Sequence, residues 1–516
     1  MRLARGHVLI GINDEALQAG ARDVEAALRD ALAENGLENE IDVIETGDLG
    51  VTGRGVALSV YPDSVLYAGV AVADVAEIVT EHLLKGRPVE RLRFGERPTT
   101  PTGLTKKQLR VVLTNCGVID PESLDEAIAA GAYEGIAKIL GDGMSSADVV
   151  EEVKRSGLRG RGGAGFPTGL KWSFTAAGET KYVVCNADEG EPGTFKDRLI
   201  LEGDPHRLVE GMMIAGYAIG ASKGYVYIRG EYALSIERMQ AAIDSAREAG
   251  ILGDAVLGST FAFDLEIKKG AGAYVCGEET SLIESIEGKR GFPRLKPPYP
   301  GAVGLWAKPT VVNNVETLAN VPPIIARGAD WFRSLGTETS PGTKVYTILG
   351  RVEHPGLIEV EMGTPLRTII ESFGGGVRDG KRFKAALIGG AAGAFVSEDR
   401  LDVAMDFDGL QEYKAVLGSG AILVLDESTS IVDVVHGILR FFRHESCGQC
   451  APCRAGTAAL LDGYECWMAG PKRPEELERL LDVARTMQAA SLCPLGQSVI
   501  LPLQTAIDSF PEEFPR

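Results

Sequence analysis

Apolar and polar positions alternate with two different periods along the first part of the chain. Short apolar runs at residues 7–12, 41–44 and 56–61 predict β-strands. Residues 24–32 and 72–84 instead repeat apolar side chains at helical spacing, which predicts two amphipathic helices. This part of the chain is therefore predicted to be a small unit of mixed α/β structure.

The pattern changes along the rest of the chain. Residues 95–104 predict a linker because of their prolines, and a long stretch with glycine-rich motifs follows. Short β-like runs at residues 344–349 and 421–425 predict a region of strands, and a helical pattern begins at about Ser430. The chain is therefore predicted to divide into domains at residues 1–93, 94–335, 336–428 and 429–516.

Composition and charge narrow the functions that the chain can have. With 516 residues, 45% of them hydrophobic, it is long enough to bury several cores. The formal net charge of -19 argues against a nucleic-acid partner, since nucleic acids select basic surfaces. No apolar segment is long enough to span a bilayer, and the N-terminal residues do not resemble a signal peptide. We therefore expect a cytoplasmic protein without direct membrane insertion.

Half of the eight cysteines belong to one motif. Cys447, Cys450 and Cys453 are spaced C-x2-C-x2-C, and Cys493 follows farther on, directly before a proline. Three thiolates at this spacing can bind one side of a cubane and a remote fourth can complete the ligand set, so the motif predicts a [4Fe–4S] cluster and one-electron transfer. Structural zinc is the alternative, but zinc sites with four cysteines usually combine two separated pairs. The pattern indicates metal binding in a reducing compartment rather than a disulfide framework.

A glycine-rich segment at residues 160–172 predicts an anion site. Its glycines satisfy G-x-G-x-x-G, so that backbone N–H groups can approach a phosphate, and Lys171 adds a positive charge. An ordinary Rossmann fingerprint would follow a strand, whereas residues 147–158 have a helical pattern. The sequence therefore predicts a nucleotide site of another architecture, and a loop without a ligand is the alternative.

A run of acidic residues follows a predicted strand. An apolar run leads to Asn186, and Asp188, Glu189 and Glu191 come directly after it. Strand ends are preferred binding positions in α/β proteins. Carboxylates accept hydrogen bonds from ribose hydroxyls, and the Asn186 amide can both donate and accept. A solvated acidic turn is the alternative, but the glycine-rich loop just upstream favours a nucleotide site.

Two further segments carry similar chemistry. An apolar run and a glycine lead to Glu278 and Glu279, which repeats the arrangement of the first acidic segment. Residues 290–300 are stiffened by prolines and offer Lys296 and Tyr299, a cation beside an aromatic ring. Such a pair could hold a phosphate and stack on a ring, and a rigid crossing loop is the alternative.

Together these motifs resemble a known family, the flavin-bearing, NADH-oxidising subunit of respiratory complex I and its relatives. The relatives include the diaphorase subunits of NAD-linked hydrogenases and of NAD-dependent molybdenum formate dehydrogenases. The resemblance covers roughly residues 105–516 and implies an α/β multidomain chain. Its implied parts are an FMN/NAD(H)-binding domain that is not an ordinary Rossmann fold, a β-grasp-like domain, and a C-terminal helical bundle with the [4Fe–4S] cluster.

The resemblance also implies which residues bind each cofactor. FMN is implied at Gly160, Gly162, Lys171, Asn186, Asp188, Glu189, Tyr274, Gly277, Glu278, Asn313 and Asn314. NAD(H) is implied near Phe166, Phe174, Glu191, Glu279, Lys296 and Tyr299. Relatives often carry Phe at the last of these positions, and a ring for stacking is kept here. No side chain need act as a catalyst, because FMN carries the chemistry.

The N-terminal region resembles the thioredoxin-like [2Fe–2S] ferredoxin domain of a neighbouring subunit in these complexes. That family binds its cluster with two cysteine pairs, whereas Gly11, Ala16, Asp48 and Thr52 stand at the four ligand positions here. We therefore expect a thioredoxin-like domain that has kept the fold and lost the cluster. With this N-terminal fusion, the chain most resembles the β (diaphorase) subunit of NAD-dependent molybdenum formate dehydrogenase.

The resemblance implies a diaphorase that passes electrons between the [4Fe–4S] cluster and NAD(H) through FMN, which exchanges both hydride pairs and single electrons. It implies as partners a ferredoxin-like [2Fe–2S] subunit and a molybdenum/iron–sulfur subunit that oxidises formate. A flavoprotein subunit of a hydrogenase or of complex I is the alternative. A non-enzymatic iron–sulfur scaffold is the alternative of another class, and the intact glycine-rich and acidic motifs argue against it.

Overall fold

The computed structural model of the chain describes residues 6–94, 108–413 and 415–514. The linker predicted at residues 95–104 lies outside the described residues. The described chain forms three β-sheets, each with helices, followed by a C-terminal helical region. Among these residues, no helix is both long and apolar enough to cross a membrane.

The N-terminal unit combines one sheet with helices. Its elements are β1 (Gly6–Gly11), α1 (Asp14–Gln18), α2 (Ala21–Glu34), β2 (Ile41–Thr46), β3 (Ala57–Tyr61), β4 (Val65–Ala68) and α3 (Val72–Glu77). The sheet order is β2–β1–β3–β4, with β1 parallel to β2 and the other pairs antiparallel. The three strands predicted here are confirmed as β1, β2 and β3, and the helix predicted at residues 24–32 is confirmed within α2. The likeness to thioredoxin stays a prediction.

The helix predicted at residues 72–84 changes its winding partway along. It begins as α3 and continues as a π-helical turn at Ile78–Leu83. His82 is buried in that turn, and its Nδ1 lies 2.7 Å from the Tyr67 hydroxyl. A π-turn widens the helix to accommodate one extra residue, and here the turn contains His82, one member of a buried polar pair.

The N-terminal unit contacts the next domain through the loop that carries Asp48. The Asp48 side chain accepts a hydrogen bond from Asn13 Nδ2 at 3.1 Å. A Cβ atom added to Gly117 would lie 2.9 Å from the Asp48 carbonyl oxygen, so the two backbones touch. Thr52 is close to the third sheet, since its hydroxyl would lie 3.6 Å from a Cβ on Gly356. Two of the four positions predicted to have lost cluster ligands, Asp48 and Thr52, therefore line an internal interface.

The central domain is built on a parallel four-stranded sheet. Its strands are β5 (Tyr182–Ala187), β6 (Lys223–Arg229), β7 (Asp264–Gly270) and β8 (Thr310–Asn314). Their order is β7–β6–β5–β8, and every neighbouring pair is parallel. The helices are α4 (Leu124–Ala129), α5 (Glu134–Gly141), α6 (Ser146–Ser156), α7 (Thr168–Ser173), α8 (Lys196–Gly203), α9 (Pro205–Ile219), α10 (Ala233–Glu248), α11 (Glu279–Ile286), α12 (Val315–Ala319), α13 (Val321–Arg327) and α14 (Ala329–Arg333).

The two faces of the parallel sheet bury different cores. Val183 and Cys185 of β5 pack into the core that also contains the apolar residues of α9 and α10. Val184, between them, points to the other face and joins a core shared with the C-terminal helices. Successive side chains of a strand alternate in this way, so β5 ties the central and C-terminal domains together.

The third region contains a mixed five-stranded sheet. Its elements are β9 (Thr343–Gly350), β10 (Gly356–Glu361), α15 (Leu366–Thr368), β11 (Phe383–Ile388), β12 (Ala394–Ser397), α16 (Phe407–Glu412) and β13 (Ala421–Asp426). The order is β10–β9–β13–β11–β12, and only β9 and β13 pair in parallel. The strands predicted at residues 344–349 and 421–425 are confirmed as β9 and β13.

The C-terminal region is helical, as predicted from about Ser430 onward. Its helices are α17 (Ile431–Glu445), α18 (Ala451–Ala469), α19 (Pro474–Ala490), α20 (Pro494–Ser498) and α21 (Ile500–Ser509). Ser430 caps α17, because its hydroxyl accepts the Asp433 N–H. Cys447 and Cys450 fall between α17 and α18, Cys453 lies in the first turn of α18, and Cys493 directly precedes α20.

Candidate functional site

The carboxyl ends of the parallel strands gather the polar motifs at one edge of the central sheet. We call this the polar edge and define it as residues 186–191, 272–279 and 313–314. Asn186 of β5 lies opposite Asn314 of β8 in the strand register. The segment after β7 joins them, because Asn186 Nδ2 donates to the Gly277 carbonyl at 2.8 Å. Parallel α/β sheets bind ligands at this edge.

The glycine-rich loop lies directly against the polar edge. It follows helix α6 and not a strand, which confirms the helix predicted at residues 147–158. The loop folds back on itself, since the Gly160 N–H donates to the Phe166 carbonyl at 2.9 Å. A Cβ atom on Gly162 would lie 2.8 Å from the Asn314 Cβ, so only glycine permits this approach. Helix α7 follows and carries Lys171.

Arg161 in this loop has a role that the sequence did not reveal. Its side chain is fully buried and donates to the carbonyl oxygens of Pro341, at 2.7 Å, and Thr343, at 3.1 Å. Burial lowers the pKa of Arg161 below its ordinary value. An arginine among glycines suggests a phosphate ligand, but this one fastens the loop to the third region.

Lys171, Glu279 and Lys296 form one ion-paired group. Lys171 Nζ lies 2.8 Å from Glu279 Oε2 and 2.7 Å from the Val312 carbonyl oxygen. Lys296 Nζ lies 3.0 Å from Glu279 Oε1. Burial acts to raise the pKa of Glu279, but the two ammonium groups outweigh it and the pKa is lowered. Residues predicted for FMN and for NAD(H) thus share a single charge cluster.

Asp188 is the one carboxylate of the first acidic segment that keeps an open oxygen. Its N–H donates to Asn186 Oδ1 at 3.1 Å. Its side chain is 8% exposed, and burial raises the pKa of Asp188 to about 7. Within the described part of the chain, Asp188 Oδ2 has no hydrogen-bond partner. A buried polar atom without a partner is costly, which points to a ligand at this position.

Glu189 and Glu278 are held by helix N-termini. Glu189 accepts the N–H groups of Asp197, at 2.9 Å, and Arg198, at 3.1 Å, in the first turn of α8. Glu278 caps α11 by accepting the Thr280 N–H at 2.9 Å. Both carboxylates were predicted to contact FMN. The structure gives each a partner within the protein, as carboxylates at helix N-termini commonly have.

Glu191 and Tyr274 form a pair that reaches the third region. The Tyr274 hydroxyl donates to Glu191 Oε2 at 2.6 Å, and the Ala391 N–H donates to Glu191 Oε1 at 2.5 Å. Burial raises the pKa of Glu191 above its ordinary value. Glu191, predicted near NAD(H), and Tyr274, predicted at FMN, are thus in direct contact.

Asn313 and Asn314, predicted at FMN, are fixed by neighbouring side chains. The Trp172 indole N–H donates to Asn313 Oδ1 at 2.9 Å. Asn314 Nδ2 donates to Asp197 Oδ2 at 2.7 Å. Nothing in the sequence links Asp197 to this site, because the contact depends on where α8 begins.

Phe166, Phe174 and Tyr299, predicted around NAD(H), present exposed rings. They are 47%, 62% and 61% exposed, respectively. The ring centroids of Phe166 and Phe174 lie 6.5 Å apart with their planes tilted by 52°. The exposed Phe166–Phe174 pair is a surface on which a flat ligand could stack.

At two glycines of the site, neither the backbone conformation nor the surrounding protein atoms exclude a larger residue. A Cβ on Gly160 would come no closer than 3.5 Å to any described atom, and one on Gly277 would also come no closer than 3.5 Å. Neither residue has a positive φ. The nearest side-chain atom to the Gly277 position is the open Asp188 Oδ2, at 3.7 Å. This combination fits a bound group that approaches the backbone closely, as FMN would.

The four cysteines of the C-terminal motif lie together in an apolar core. Cys453 and Cys493 are buried in it, and the partly buried Cys447 and Cys450 pack against it. Burial raises the pKa of the Cys493 thiol to about 11, and the charges of Cys447 and Cys453 act in the same direction, so these sulfurs are near neighbours. Thiol donors gathered in apolar surroundings suit an iron–sulfur cluster.

Within the described residues, the four cysteines are not arranged around a single metal ion. Across residues 6–94, 108–413 and 415–514, no three His, Cys, Asp or Glu side chains are placed to hold one metal ion together. In a cubane each thiolate binds a different iron atom, so the ligands stand apart by the width of the cluster.

Three family profiles match successive parts of the chain. The profile described as the Nuo51 FMN-binding domain matches residues 153–323. The SLBB domain matches residues 345–393, and the NADH-ubiquinone oxidoreductase-F iron-sulfur binding region matches residues 433–516. The chain is therefore an FMN- and NADH-binding subunit with a 4Fe–4S region, and the predicted cofactors are confirmed at this level.

Curated relatives match most of the chain. The NADP-reducing hydrogenase subunit HndC of Solidesulfovibrio fructosivorans is 52% identical over 80% of this chain and 84% of its own length. One NADH-quinone oxidoreductase subunit of Rhizobium meliloti is 49% identical over 78% of this chain and 96% of its own length. The corresponding NADH-quinone oxidoreductase subunit of Escherichia coli is 44% identical over 76% of this chain and 89% of its own length.

A solved structure extends the likeness to the N-terminal unit. In crystals of the H2-reduced state of an NAD+-reducing [NiFe]-hydrogenase, one chain is 32% identical to this one with a TM-score of 0.70. The match covers 99% of this chain and 84% of that chain. The air-oxidised state of the same type of enzyme gives the same values.

Proposed function

This chain belongs to the family of FMN- and NADH-binding subunits that includes NADH-ubiquinone oxidoreductase-F, and we propose that it is a diaphorase within a larger redox complex. It passes electrons between its 4Fe–4S cluster and NAD(H) through FMN. FMN supplies the exchange between hydride pairs and single electrons when it is bound. The chain's residues bind the two partners, orient them and keep water away.

One contact carries the proposal, because it joins the two redox sites. Tyr274 of the polar edge donates its N–H to Glu445 at 3.0 Å, and Glu445 lies two residues before Cys447. The rings of Tyr274 and Phe441 also meet edge to face, with centroids 5.0 Å apart. The polar edge and the cysteine motif are thus neighbours, which is what electron transfer between two cofactors requires.

The polar edge and the adjacent glycine-rich loop together supply the groups that the proposed flavin site needs. The glycine-rich loop offers backbone N–H groups, and Lys171 adds a positive charge for a phosphate. The open Asp188 oxygen lies beside the place that Gly277 leaves free, and Asn186 Nδ2 donates to the Gly277 carbonyl. The remaining proposed FMN ligands are Gly160, Gly162, Glu189, Tyr274, Glu278, Asn313 and Asn314.

The proposed NAD(H) site lies on the outer side of the same edge. The exposed rings of Phe166, Phe174 and Tyr299 provide stacking surfaces. Glu279 and Lys296, already paired at 3.0 Å, can exchange that bond for bonds to the ribose and phosphate groups of the dinucleotide. Glu191 completes the set proposed from the sequence.

The electron-donor subunit is proposed to be a molybdenum/iron–sulfur formate dehydrogenase, with a ferredoxin-like [2Fe–2S] subunit as a second partner. This rests on the N-terminal fusion and on the resemblance to the β subunit of such enzymes. A hydrogenase fits equally well, because the chain of an NAD+-reducing [NiFe]-hydrogenase matches 99% of this chain, the N-terminal unit included.

Ferricyanide reduction by the isolated chain tests the diaphorase proposal. After reconstitution with FMN and iron–sulfur components, the chain should show a flavin spectrum and reduce ferricyanide with NADH as the donor. A Lys308→Met variant, which changes an exposed lysine outside the site, should behave like the wild type. If the reconstituted chain held iron but neither FMN nor NADH activity, it would be an iron–sulfur scaffold instead.

The metal content of the native complex decides between the two partners. The chain is purified from its own cells with an affinity tag, and the co-purifying subunits are analysed for metals. Molybdenum together with formate-dependent NAD+ reduction supports the formate assignment. Nickel together with hydrogen-dependent reduction assigns the chain to a hydrogenase.

A further inference from the structure

A group of fully buried charges lies beneath the polar edge. Lys196 and Asp197 come from α8, Glu316 from α12 and Lys344 from β9, and none is more than 4% exposed. Lys196 Nζ lies 2.6 Å from Asp197 Oδ1 and 3.0 Å from Glu316 Oε2. Lys344 Nζ lies 2.6 Å from the same Glu316 oxygen. The four charges form one continuous chain of ion pairs.

Such a chain is expensive to bury, so its presence calls for a reason. Desolvation of two ammonium and two carboxylate groups roughly cancels their attraction, and apolar residues of similar volume would be at least as stabilising. The two ammonium groups also crowd a single oxygen atom. Burial lowers the pKa of Lys344 to about 8, whereas the two lysines outweigh burial at Glu316 and lower its pKa. Stability alone does not explain this arrangement.

Asp197 connects the buried charges to the polar edge at two points. Its Oδ2 accepts the Asn314 Nδ2 hydrogen bond at 2.7 Å. Its backbone N–H donates to Glu189 Oε1 at 2.9 Å. Asn314 in turn is the wall against which Gly162 of the glycine-rich loop packs. A shift of Asp197 would therefore move both Glu189 and the Asn314 side chain, which contacts the glycine-rich loop.

We propose that Asp197, held by Lys196 and by the Glu316–Lys344 pair, is a positioning residue for the flavin site. It fixes the Asn314 amide against the glycine-rich loop and keeps Glu189 on the first turn of α8. Because one end of the chain of ion pairs is on β9, it also sets the flavin site relative to the third region. This inference rests on the flavin site proposed above and adds a residue that does not touch the flavin itself.

Asp197→Asn tests the proposal because it keeps the shape and removes the charge. The variant should bind FMN about tenfold more weakly, measured by quenching of flavin fluorescence, since a charge-assisted hydrogen bond is lost. The visible circular dichroism of the bound flavin and its midpoint potential should both change, because the surroundings of the ring are reorganised.

Asp204→Asn is the matched control at the other end of the same helix. Asp204 is as buried as Asp197 and accepts hydrogen bonds from Asn115 Nδ2 and Arg207 Nε, each at 2.9 Å. It lies outside the proposed site. Its variant should lose stability but leave the flavin dichroism and potential unchanged. If Asp204→Asn changed them as much as Asp197→Asn does, or if neither did, the positioning role would be wrong.

Lys344→Met keeps the test decisive if Asp197→Asn does not fold. A neutral residue should be tolerated better there than at Asp197, because burial disfavours the charged form of Lys344 and lowers its pKa to about 8. This variant should change the flavin dichroism in the direction expected for Asp197→Asn, with an affinity loss of about threefold. An unchanged dichroism overturns the inference. A wild-type chain that binds no FMN at all would instead overturn the proposed function.

Discussion

The polar edge and the cysteine motif are neighbours, yet their binding groups are held in opposite ways. At the polar edge, Glu189, Glu278 and Asn314 are already bonded to other protein groups, as is the neighbouring Lys171. At the cysteine motif, the thiols stand in an apolar core shared with Trp467 and Leu495. The polar edge is organised by hydrogen bonds and ion pairs among its own groups, whereas the cysteine motif is organised by apolar packing around it.

This difference teaches where function can be recognised. A single buried cysteine commonly only fills space, but four cysteines at the spacing of a cluster motif indicate a metal site. A glutamate at a strand end can cap a helix, pair with a lysine or bind a ligand. Glu189 and Glu278 cap helices in this structure, whereas the buried Asp188 Oδ2 has no partner among the described residues.

Removing one cysteine should have the largest effect. Cys493→Ser is expected to lose most of the cluster, because the remote ligand cannot be replaced from the same loop. FMN binding should remain, since the polar edge keeps its own bonds. Iron analysis and the flavin spectrum measure the two outcomes. Cys466→Ser changes an exposed cysteine and should leave the iron content unchanged; a cluster retained in Cys493→Ser would show that the motif is not the ligand set.

The next largest effect is expected from filling the space beside two glycines, one in the glycine-rich loop and one at the polar edge. Gly160→Ala and Gly277→Ala add a Cβ that meets no described atom within 3.4 Å, so the fold should tolerate them. If FMN occupies the space, its affinity should fall by at least about tenfold. Gly437→Ala, on α17 with open space around it, should bind FMN normally and be about 0.5–1 kcal/mol more stable. Unchanged FMN affinity in both site variants would place the flavin elsewhere.

Asp188→Asn should show how much the buried Asp188 carboxylate destabilises the flavin-free protein. Burial raises the pKa of Asp188 to about 7, above the value of about 3.9 for an exposed aspartate. The folded protein then holds this proton more tightly than the unfolded chain does, so stability falls as pH rises from about 4 to about 7. The flavin-free variant should gain about 1–3 kcal/mol over the wild type at pH 8, and the gain should vanish toward pH 4.

Urea denaturation at several pH values measures this difference. Asp379→Asn alters an exposed aspartate and should follow the wild-type profile at every pH. Parallel profiles for the wild type and Asp188→Asn would mean that the carboxylate is not buried at a cost, and the case for a ligand beside it would weaken.

The smallest effect is expected at Tyr299, whose ring is exposed at the proposed NAD(H) site. Tyr299→Phe keeps the ring and should change the KM for NADH by less than about twofold. Tyr299→Ala removes the ring and should raise the KM by about threefold to tenfold. If the Phe variant were as impaired as the Ala variant, the hydroxyl and not the ring would contact the dinucleotide.

The sequence predicted the parts of the fold that depend on local pattern. The apolar run at β1 and the helical pattern of α6 are examples, and both are confirmed. Strand β4 was missed because it spans only Val65–Ala68, and the π-helical turn at Ile78–Leu83 leaves no mark on the spacing of apolar residues. Short or irregular elements are set by the packing around them.

Some features of the candidate site could likewise be predicted from local sequence, and others could not. The cysteine motif and the glycine-rich loop could be found from spacing, and the family profiles support both. Arg161 and Asp197 could not, because each acts on residues far away along the chain, Pro341 and Asn314. Which groups meet across that distance depends on the strand register and on where α8 begins. The individual cofactor contacts remain predictions.

The hydrogen bond between Tyr274 and Glu445 has a consequence for electron tunnelling. Tunnelling through covalent and hydrogen bonds decays less steeply than tunnelling through empty space, so a bonded bridge favours fast transfer. From the segment beside the proposed flavin, this bridge crosses one 3.0 Å hydrogen bond and two residues of backbone to reach Cys447. Both of its ends are packed, because Tyr274 and Cys447 lie against the core shared with the C-terminal helices. The proposed transfer should therefore be insensitive to solvent viscosity, with a rate determined by the driving force between the two sites.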